Sequence, residues 1–113
     1  MTVTTSRVDG VAVLHVSDAR LTYPVLSDFV SAVAALVTAG EKRMLVDLTN
    51  VTYVDSATIG ALLDLFRQAA AAGGVLKLAG VQKRVETMLT MTGAQNFLEV
   101  HADVASALAS FGA

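Results

Sequence analysis

Short apolar runs alternate along this chain with longer segments in which apolar residues recur every three or four positions. The short runs predict strands at residues 2–8, 11–17, 42–50, 75–80 and 97–100. Asp9-Gly10 separates the first two runs and is a strong turn signal, so the chain is expected to begin with a β-hairpin. Met44, Leu45 and Val46 do not alternate with polar residues, which indicates a strand that is buried on both faces.

Four segments show the apolar spacing of amphipathic helices. The first begins near Pro24 and ends at Gly40, the second follows Ser56 and ends at Gly73-Gly74, the third ends at Gly93, and Asp103 caps the fourth. The residues expected to face inward are Leu26, Phe29, Val30, Val33, Leu36 and Val37, then Ile59, Leu62, Leu63 and Phe66, then Val85, Met88 and Leu89, and finally Val104, Ala107, Leu108 and Phe111.

The predicted order of elements is ββαβαβαβα. Alternation of strands and helices after the first hairpin is typical of a parallel sheet with helices on its faces. We therefore predict an α/β fold: a mixed, mostly parallel sheet with an N-terminal β-hairpin and about four helices. A length of 113 residues suits a single domain, here residues 1–113.

Composition narrows the range of functions. Apolar residues make up 54% of the chain and charged residues only 16%, which favours an apolar surface that contacts a partner. The net charge of −2 and the lack of a basic run give no support for direct nucleic acid binding. No apolar run approaches the roughly 20 residues of a membrane span, and the polar N-terminus is unlike a signal peptide, so we expect a cytoplasmic protein.

Signals for enzyme chemistry are weak. The chain has no cysteine, no phosphate-binding glycine loop and no GxSxG motif, and no cofactor or metal is expected. His15 and His101 show no spacing that ties either of them to Ser56 as a catalytic base. Asp47 and Asp55 could share a metal, although Asp47 at a strand end is better explained by hydrogen bonds to loop amides. We therefore expect a protein that is not an enzyme.

The stretch "YVDSATIGALL", residues 53–63, places Asp55 and Ser56 where an extended run becomes a helix. The first N–H groups of a helix have no partner within it and carry partial positive charge. Either side chain can cap them, and a phosphate on the serine can also be held there. From the residues alone, a cap and a phosphorylation site both remain open for Ser56.

The segment "MLVDLTNVTYVDSATIGALL" resembles the central motif of STAS domains, and more closely that of single-domain anti-sigma factor antagonists. The matching residues are Leu45-Val46-Asp47-Leu48, Val54-Asp55-Ser56-Ala57 and Ile59-Gly60. The second half of the chain also follows that family's order of strand, helix, short strand and closing helix. The resemblance implies that Ser56 is phosphorylated by an anti-sigma factor that is itself a serine kinase, and that a serine phosphatase removes the phosphate.

The same resemblance implies the mechanism of regulation. The unmodified protein would bind the anti-sigma factor and release a sigma factor, and phosphorylation would break the complex. Asp55 would orient the loop and contact the kinase site. The adjoining contact surface would then comprise Ala57, Thr58, Ile59 and Gly60.

Two departures from the family pattern leave alternatives open. Thr58 stands where the family commonly has glycine, and its hydroxyl could be an alternative phosphate acceptor or could alter the fit of the kinase. Asp18-Ala19 stands where a glycine-containing turn is more usual. The alternative function is a STAS scaffold without phosphorylation, or a transporter-associated subunit docking on an ATPase, with Ser56 serving only as a cap.

Overall fold

The elements follow the sequence pattern, with two short strands added. The computed structural model describes residues 3–112. Thr2 of the predicted first strand lies outside them, as do Met1, Thr2 and Ala113 of the predicted domain. The strands are β1 (Val3–Val8), β2 (Val11–Val16), β3 (Arg20–Leu21), β4 (Arg43–Asp47), β5 (Tyr53–Val54), β6 (Val75–Ala79) and β7 (Glu99–His101). The helices are α1 (Tyr23–Thr38), α2 (Ser56–Ala71), α3 (Lys83–Thr92) and α4 (Val104–Ser110), with a 3₁₀ turn at Ala94–Asn96.

Five of the strands form one mixed sheet in the order β1-β2-β4-β6-β7. Only β1 runs antiparallel to its neighbour, and the other pairs are parallel. Asp9 and Gly10 both have positive φ angles, 51° and 79°, which is the backbone that a two-residue hairpin requires. The predicted fold class is therefore confirmed. The short strands β3 and β5 form a separate parallel pair beside the start of α2.

The two faces of the sheet bury different amounts of apolar surface. One face packs against α1, α2 and α3 and forms the main core, which includes Phe29, Leu62 and Leu89. The opposite face carries a smaller cluster: Val11, Val13, Leu45, Ala79 and Ala107. Helix α4 covers that cluster. Because the main core is the larger of the two, most of the apolar burial lies on the side of the three longer helices.

Helix α4 is held to the sheet by apolar and polar contacts. Phe111 packs against the smaller cluster, as its helical spacing predicts. Lys77 is only 7% exposed, and its Nζ lies 2.9 Å from Glu99 Oε2 and 2.9 Å from Ser110 Oγ. The same ammonium lies 4.3 Å from the centre of the Phe111 ring. A buried lysine thus joins the end of α4 to β7 with its charge compensated.

One predicted detail is wrong, and a second is refined, since Leu63 and Phe66 do pack against the core as predicted. Phe97 was placed in the last strand, but it follows the 3₁₀ turn and is exposed, and the strand begins at Glu99. In α2 the fully buried stripe includes Leu65, while Leu63 and Phe66 are half-buried at its margin. Within residues 3–112, no helix combines the length and the apolar character needed to cross a membrane.

Candidate functional site

The Asp55 carboxylate joins the starts of two helices. Its Oδ1 accepts hydrogen bonds from the Thr58 backbone N–H at 2.9 Å and from the Thr58 hydroxyl at 2.7 Å. Its Oδ2 accepts from the backbone N–H of Tyr23 at 2.8 Å, and Tyr23 is the first residue of α1. Asp55 is therefore the N-cap of α2 and also holds the first turn of α1 in place.

These hydrogen bonds stabilise the ionised carboxylate. Partial burial of Asp55 raises its pKa, but the hydrogen bonds from the Thr58 side chain and from the backbones of Tyr23 and Thr58 outweigh that effect. The pKa of Asp55 is consequently lowered from its ordinary value of 3.8. A group with a depressed pKa stabilises the fold above its unfolded-state pKa, and this contribution is lost as the pH falls through the folded-state value.

We expect Asp55→Asn to destabilise the protein by about 1–2 kcal/mol at pH 7. The amide oxygen can still accept both hydrogen bonds from Thr58, but the NH₂ group that replaces Oδ2 cannot accept from Tyr23 N–H. The difference from the parent should narrow as the pH falls below 3.8 and through the lowered pKa of Asp55 in the folded protein, where the parent carboxylate also becomes protonated. Urea denaturation at pH 7 and at a series of pH values below 3.8 measures the loss of stability. Asp64→Asn on the exposed side of α2 is the control, and its loss of stability should stay near zero. A difference that does not depend on pH would contradict the account.

Ser56 occupies the first helical position of α2 and is exposed, as predicted. The capping hydrogen bonds go to Asp55, and the Ser56 hydroxyl makes no hydrogen bond to residues 3–112. The backbone N–H groups of Ser56 and Ala57 lie in the first turn, where a helix provides no internal acceptor. An exposed hydroxyl thus sits beside amides that can stabilise negative charge.

Thr58 differs from both of its expected roles. Its side chain is 0% exposed, and its hydroxyl oxygen lies 2.8 Å from the Leu21 carbonyl oxygen and 2.7 Å from Asp55 Oδ1. This burial contradicts a place on the contact surface and excludes Thr58 as an alternative phosphate acceptor in this conformation. Ile59 is also buried, whereas Ala57 and Gly60 are exposed.

Removal of the Thr58 hydroxyl is expected to cost stability. In Thr58→Val the shape is kept, but the Leu21 carbonyl and Asp55 lose a buried partner, for a loss of about 1–3 kcal/mol. Thr58→Ser retains the hydroxyl and should recover most of that loss. Equal urea midpoints for Thr58→Val and the parent would show that the hydroxyl is not needed.

Apolar side chains surround the exposed serine. Asp55, Ser56 and Ile59 line a shallow depression of about 190 Å³, together with Met88, Met91 and Thr92 from α3. Met91 is 81% exposed, and Tyr23, whose backbone N–H donates to Asp55, is 75% exposed. Flexible, polarizable methionines and an exposed tyrosine are typical of protein-binding surfaces. We refer to Tyr23, Asp55, Ser56, Met88 and Met91 as the serine surface.

The other polar candidates lie elsewhere. Asp47 accepts from the loop amide of Thr49 at 3.0 Å, which confirms its predicted role as a strand-end residue. It also contacts His15, while His101 contacts Glu99. Asp47 and Asp55 therefore serve separate hydrogen-bond groups, and residues 3–112 contain no group of three or more His, Asp or Glu suited to a metal ion.

Sequence reasoning missed the contribution of α3 to this surface. Met88 was expected to face inward, and it does contact the core, but it also lines the depression with Met91. The exposed Met91 lies off the inward stripe of α3. A large apolar residue on a face expected to be polar is the signal that could have identified it.

Comparisons with known proteins identify the family of this chain. The model of the STAS domain family matches residues 2–107. A curated relative from Thermotoga neapolitana, named as an anti-sigma factor antagonist homolog, is 25% identical over 69 residues, which is 61% of this chain and 61% of the relative. The alignment thus spans about three fifths of that relative's length.

Solved structures share the fold at low sequence identity. A STAS domain anti-sigma factor antagonist protein from Planctomyces limnophilus superposes with a TM-score of 0.88 and 19% identity over 98% of both chains. Phosphorylated SpoIIAA from Bacillus gives 0.73 and 13% identity over 97% of this chain and 99% of that one. A sulfate transporter family protein from Wolinella succinogenes gives 0.74 and 18% identity, covering 90% and 84%. Together with the family match along most of its length, these observations establish that the chain belongs to the STAS domain family.

Proposed function

We propose that this protein is an anti-sigma factor antagonist whose binding is regulated by phosphorylation of Ser56. The unmodified protein binds an anti-sigma factor serine kinase in the cytoplasm, and this binding releases a sigma factor. The kinase phosphorylates Ser56 and thereby weakens the complex, and a serine phosphatase restores the active form. The protein itself acts by binding and catalyses no step of this cycle.

One observation carries the proposal: Asp55 caps α2, so the Ser56 hydroxyl has no structural task. In a serine that served as the cap, phosphorylation would esterify the oxygen that accepts the capping hydrogen bond, and the cap would have to rearrange. Here a phosphate can be added while the carboxylate continues to hold both helices. The fold is therefore expected to tolerate phosphorylation, as a reversible switch requires.

The surroundings of Ser56 explain how a phosphate would block binding. Phosphorylation adds a charge of about −1.5 to −2 at neutral pH. The amides of Ser56 and Ala57 can stabilise that charge in the free protein, and Asp55 adds a like charge beside it. In a complex the partner would cover the serine surface, where Tyr23 and Met91 are exposed, and would remove this dianion from water. The cost of that desolvation favours dissociation.

The named relatives support this assignment. The Thermotoga neapolitana relative carries the name of an anti-sigma factor antagonist. The same fold occurs in SpoIIAA, whose structure is known in a phosphorylated form. These similarities support an anti-sigma factor antagonist regulated by phosphorylation, while the choice of Ser56 rests on the geometry at the start of α2.

A second candidate is a STAS module that docks on a transporter-associated ATPase without being phosphorylated. The similarity to the sulfate transporter family protein from Wolinella succinogenes favours it. The serine surface would then bind its partner permanently, and the chemistry of the Ser56 hydroxyl would be irrelevant.

A kinase assay separates the two candidates. The protein is incubated with ATP and each purified anti-sigma factor kinase of the source genome, and the product is mapped by mass spectrometry. We expect one phosphate, located on Ser56 and lost in Ser56→Ala. Ser31→Ala removes another exposed helical serine and should leave labelling unchanged. A kinase that binds the protein but never labels Ser56 would favour the second candidate.

A further inference from the structure

A chain of hydrogen bonds links Ser6, His15 and Asp47 on the face of the sheet that carries α4. The Ser6 Oγ lies 3.0 Å from His15 Nε2, and His15 Nδ1 lies 2.9 Å from Asp47 Oδ2. The three residues come from the adjacent strands β1, β2 and β4. His15 is directly opposite Asp47 in the parallel pair and diagonal to Ser6 across the hairpin, where Thr4 is its direct partner.

The direction of the protons in this chain follows from Asp47. Burial of Asp47 raises its pKa, but hydrogen bonds from the Thr49 side chain and backbone and from His15 lower it below the ordinary value. The carboxylate is therefore ionised at neutral pH and only accepts hydrogen bonds. A neutral His15 must then carry its hydrogen on Nδ1, donate it to Asp47, and accept at Nε2 from the Ser6 hydroxyl.

This is the arrangement of a serine nucleophile, a general base and an orienting carboxylate. We propose that Ser6 is an acyl-acceptor site, acylated by activated donors such as aryl esters, thioesters or acyl phosphates. Ser6 Oγ attacks the acyl carbon as its proton passes to His15 Nε2. The bond from the acyl carbon to the leaving group then breaks, and His15 returns the proton to that leaving group. The product is an ester on Ser6 and the free leaving group, with no change in oxidation state.

Access to the site agrees with this chemistry. Ser6 is exposed on β1, the edge strand of the sheet, and the His15 side chain is 37% exposed. An acyl donor can therefore approach from solvent, while Asp47 is 16% exposed and held in place by Thr49. Because Ser6 lies on an exposed edge strand, the rate of acylation depends on the reactivity of the donor. Small activated donors are therefore favoured.

The site is independent of the proposed function. Ser56 has no base beside its hydroxyl, since Asp55 is committed to the helix starts. Ser6 lies on strand β1, on the face of the sheet opposite the main core, and it has His15 as its own base. The two serines therefore differ in the chemistry that activates them, and one can be tested without the other.

The test uses p-nitrophenyl acetate with the 113-residue protein at neutral pH. Release of p-nitrophenolate gives the rate, and peptide mapping by mass spectrometry locates the acetyl group. A general base contributes roughly 10²–10⁴-fold to such a step, so we expect Ser6 to be acetylated at least about tenfold faster than the exposed Ser31. Ser6→Ala should abolish the adduct, and His15→Gln should slow its formation by at least about tenfold.

Ser31→Ala and Ser56→Ala serve as matched controls and should leave acetylation of Ser6 unchanged. Circular dichroism melting of His15→Gln checks that the hairpin is intact, and Asp47→Asn provides a second variant in which the orienting carboxylate is lost. Acetylation of Ser6 at the rate of Ser31, or at the same rate in folded His15→Gln, would overturn the proposal. Neither result bears on phosphorylation of Ser56.

Discussion

Replacing Ser56 with aspartate is expected to weaken the complex with an anti-sigma factor kinase about ten- to a hundredfold. The new carboxylate lies beside Asp55 in the centre of the serine surface, and binding would have to remove both charges from water. Aspartate carries less charge than a phosphate, so the effect should be smaller than that of phosphorylation itself. Isothermal titration calorimetry with the purified kinase measures the difference.

Two variants control this experiment. Ser56→Ala should bind like the parent and fail to accept phosphate, because the hydroxyl makes no structural hydrogen bond. Ser31→Asp adds the same charge to an exposed position of α1 and should leave the affinity unchanged. The melting temperature of Ser56→Asp should stay close to that of the parent, since Asp55 remains the cap. Tight binding by Ser56→Asp would show that this position is not the switch.

Deletion of residues 104–113 is expected to destabilise the protein by several kcal/mol. Helix α4 alone covers the smaller apolar cluster, and fully burying a large apolar side chain contributes about 1.5–3 kcal/mol. The deletion also removes Ser110 and the Phe111 ring, which both contact Lys77, and leaves that buried ammonium with fewer partners.

Thermal and urea denaturation measure this loss. Phe111→Ala is the graded control: Phe111 is only half-buried, so its loss should be smaller than that of the whole helix. The melting temperature should fall in the order parent, Phe111→Ala, deletion. An unchanged melting temperature after deletion would show that α4 is dispensable.

The fold could be predicted because its main features are local. Asp9-Gly10 specifies the hairpin, and the glycines after α1, α2 and α3 end those helices where the pattern predicts. The pair β3–β5 could not be predicted, because two-residue strands have no periodicity. Its pairing joins Arg20 to Tyr53, residues far apart in the sequence, and depends on the tertiary fold.

The site could be predicted only in part. The motif places Asp55 and Ser56 at a helix start, but either residue could have been the cap. The choice depends on Tyr23, whose N–H reaches Asp55 from another helix. The burial of Thr58 likewise depends on the Leu21 carbonyl, which a sequence pattern does not place near α2. Contacts between distant segments thus decide which side chain remains free.

The link between His15 and Asp47 shows the same limit. The hairpin register follows from its turn and brings Ser6 near His15 on one face. The parallel pairing of β2 with β4 has no comparable local signal, since a long crossover through α1 separates the two strands. Sequence spacing could therefore not identify Asp47 as the aspartate that hydrogen-bonds to His15.

The central claim is that phosphate on Ser56 breaks the complex with an anti-sigma factor kinase. The most direct measurement compares the affinity of one protein preparation for that kinase before and after enzymatic phosphorylation, with mass spectrometry to establish full modification of Ser56. We predict that phosphorylation weakens binding by more than the roughly ten- to hundredfold expected for Ser56→Asp. Equal affinities of the modified and unmodified protein would contradict the account.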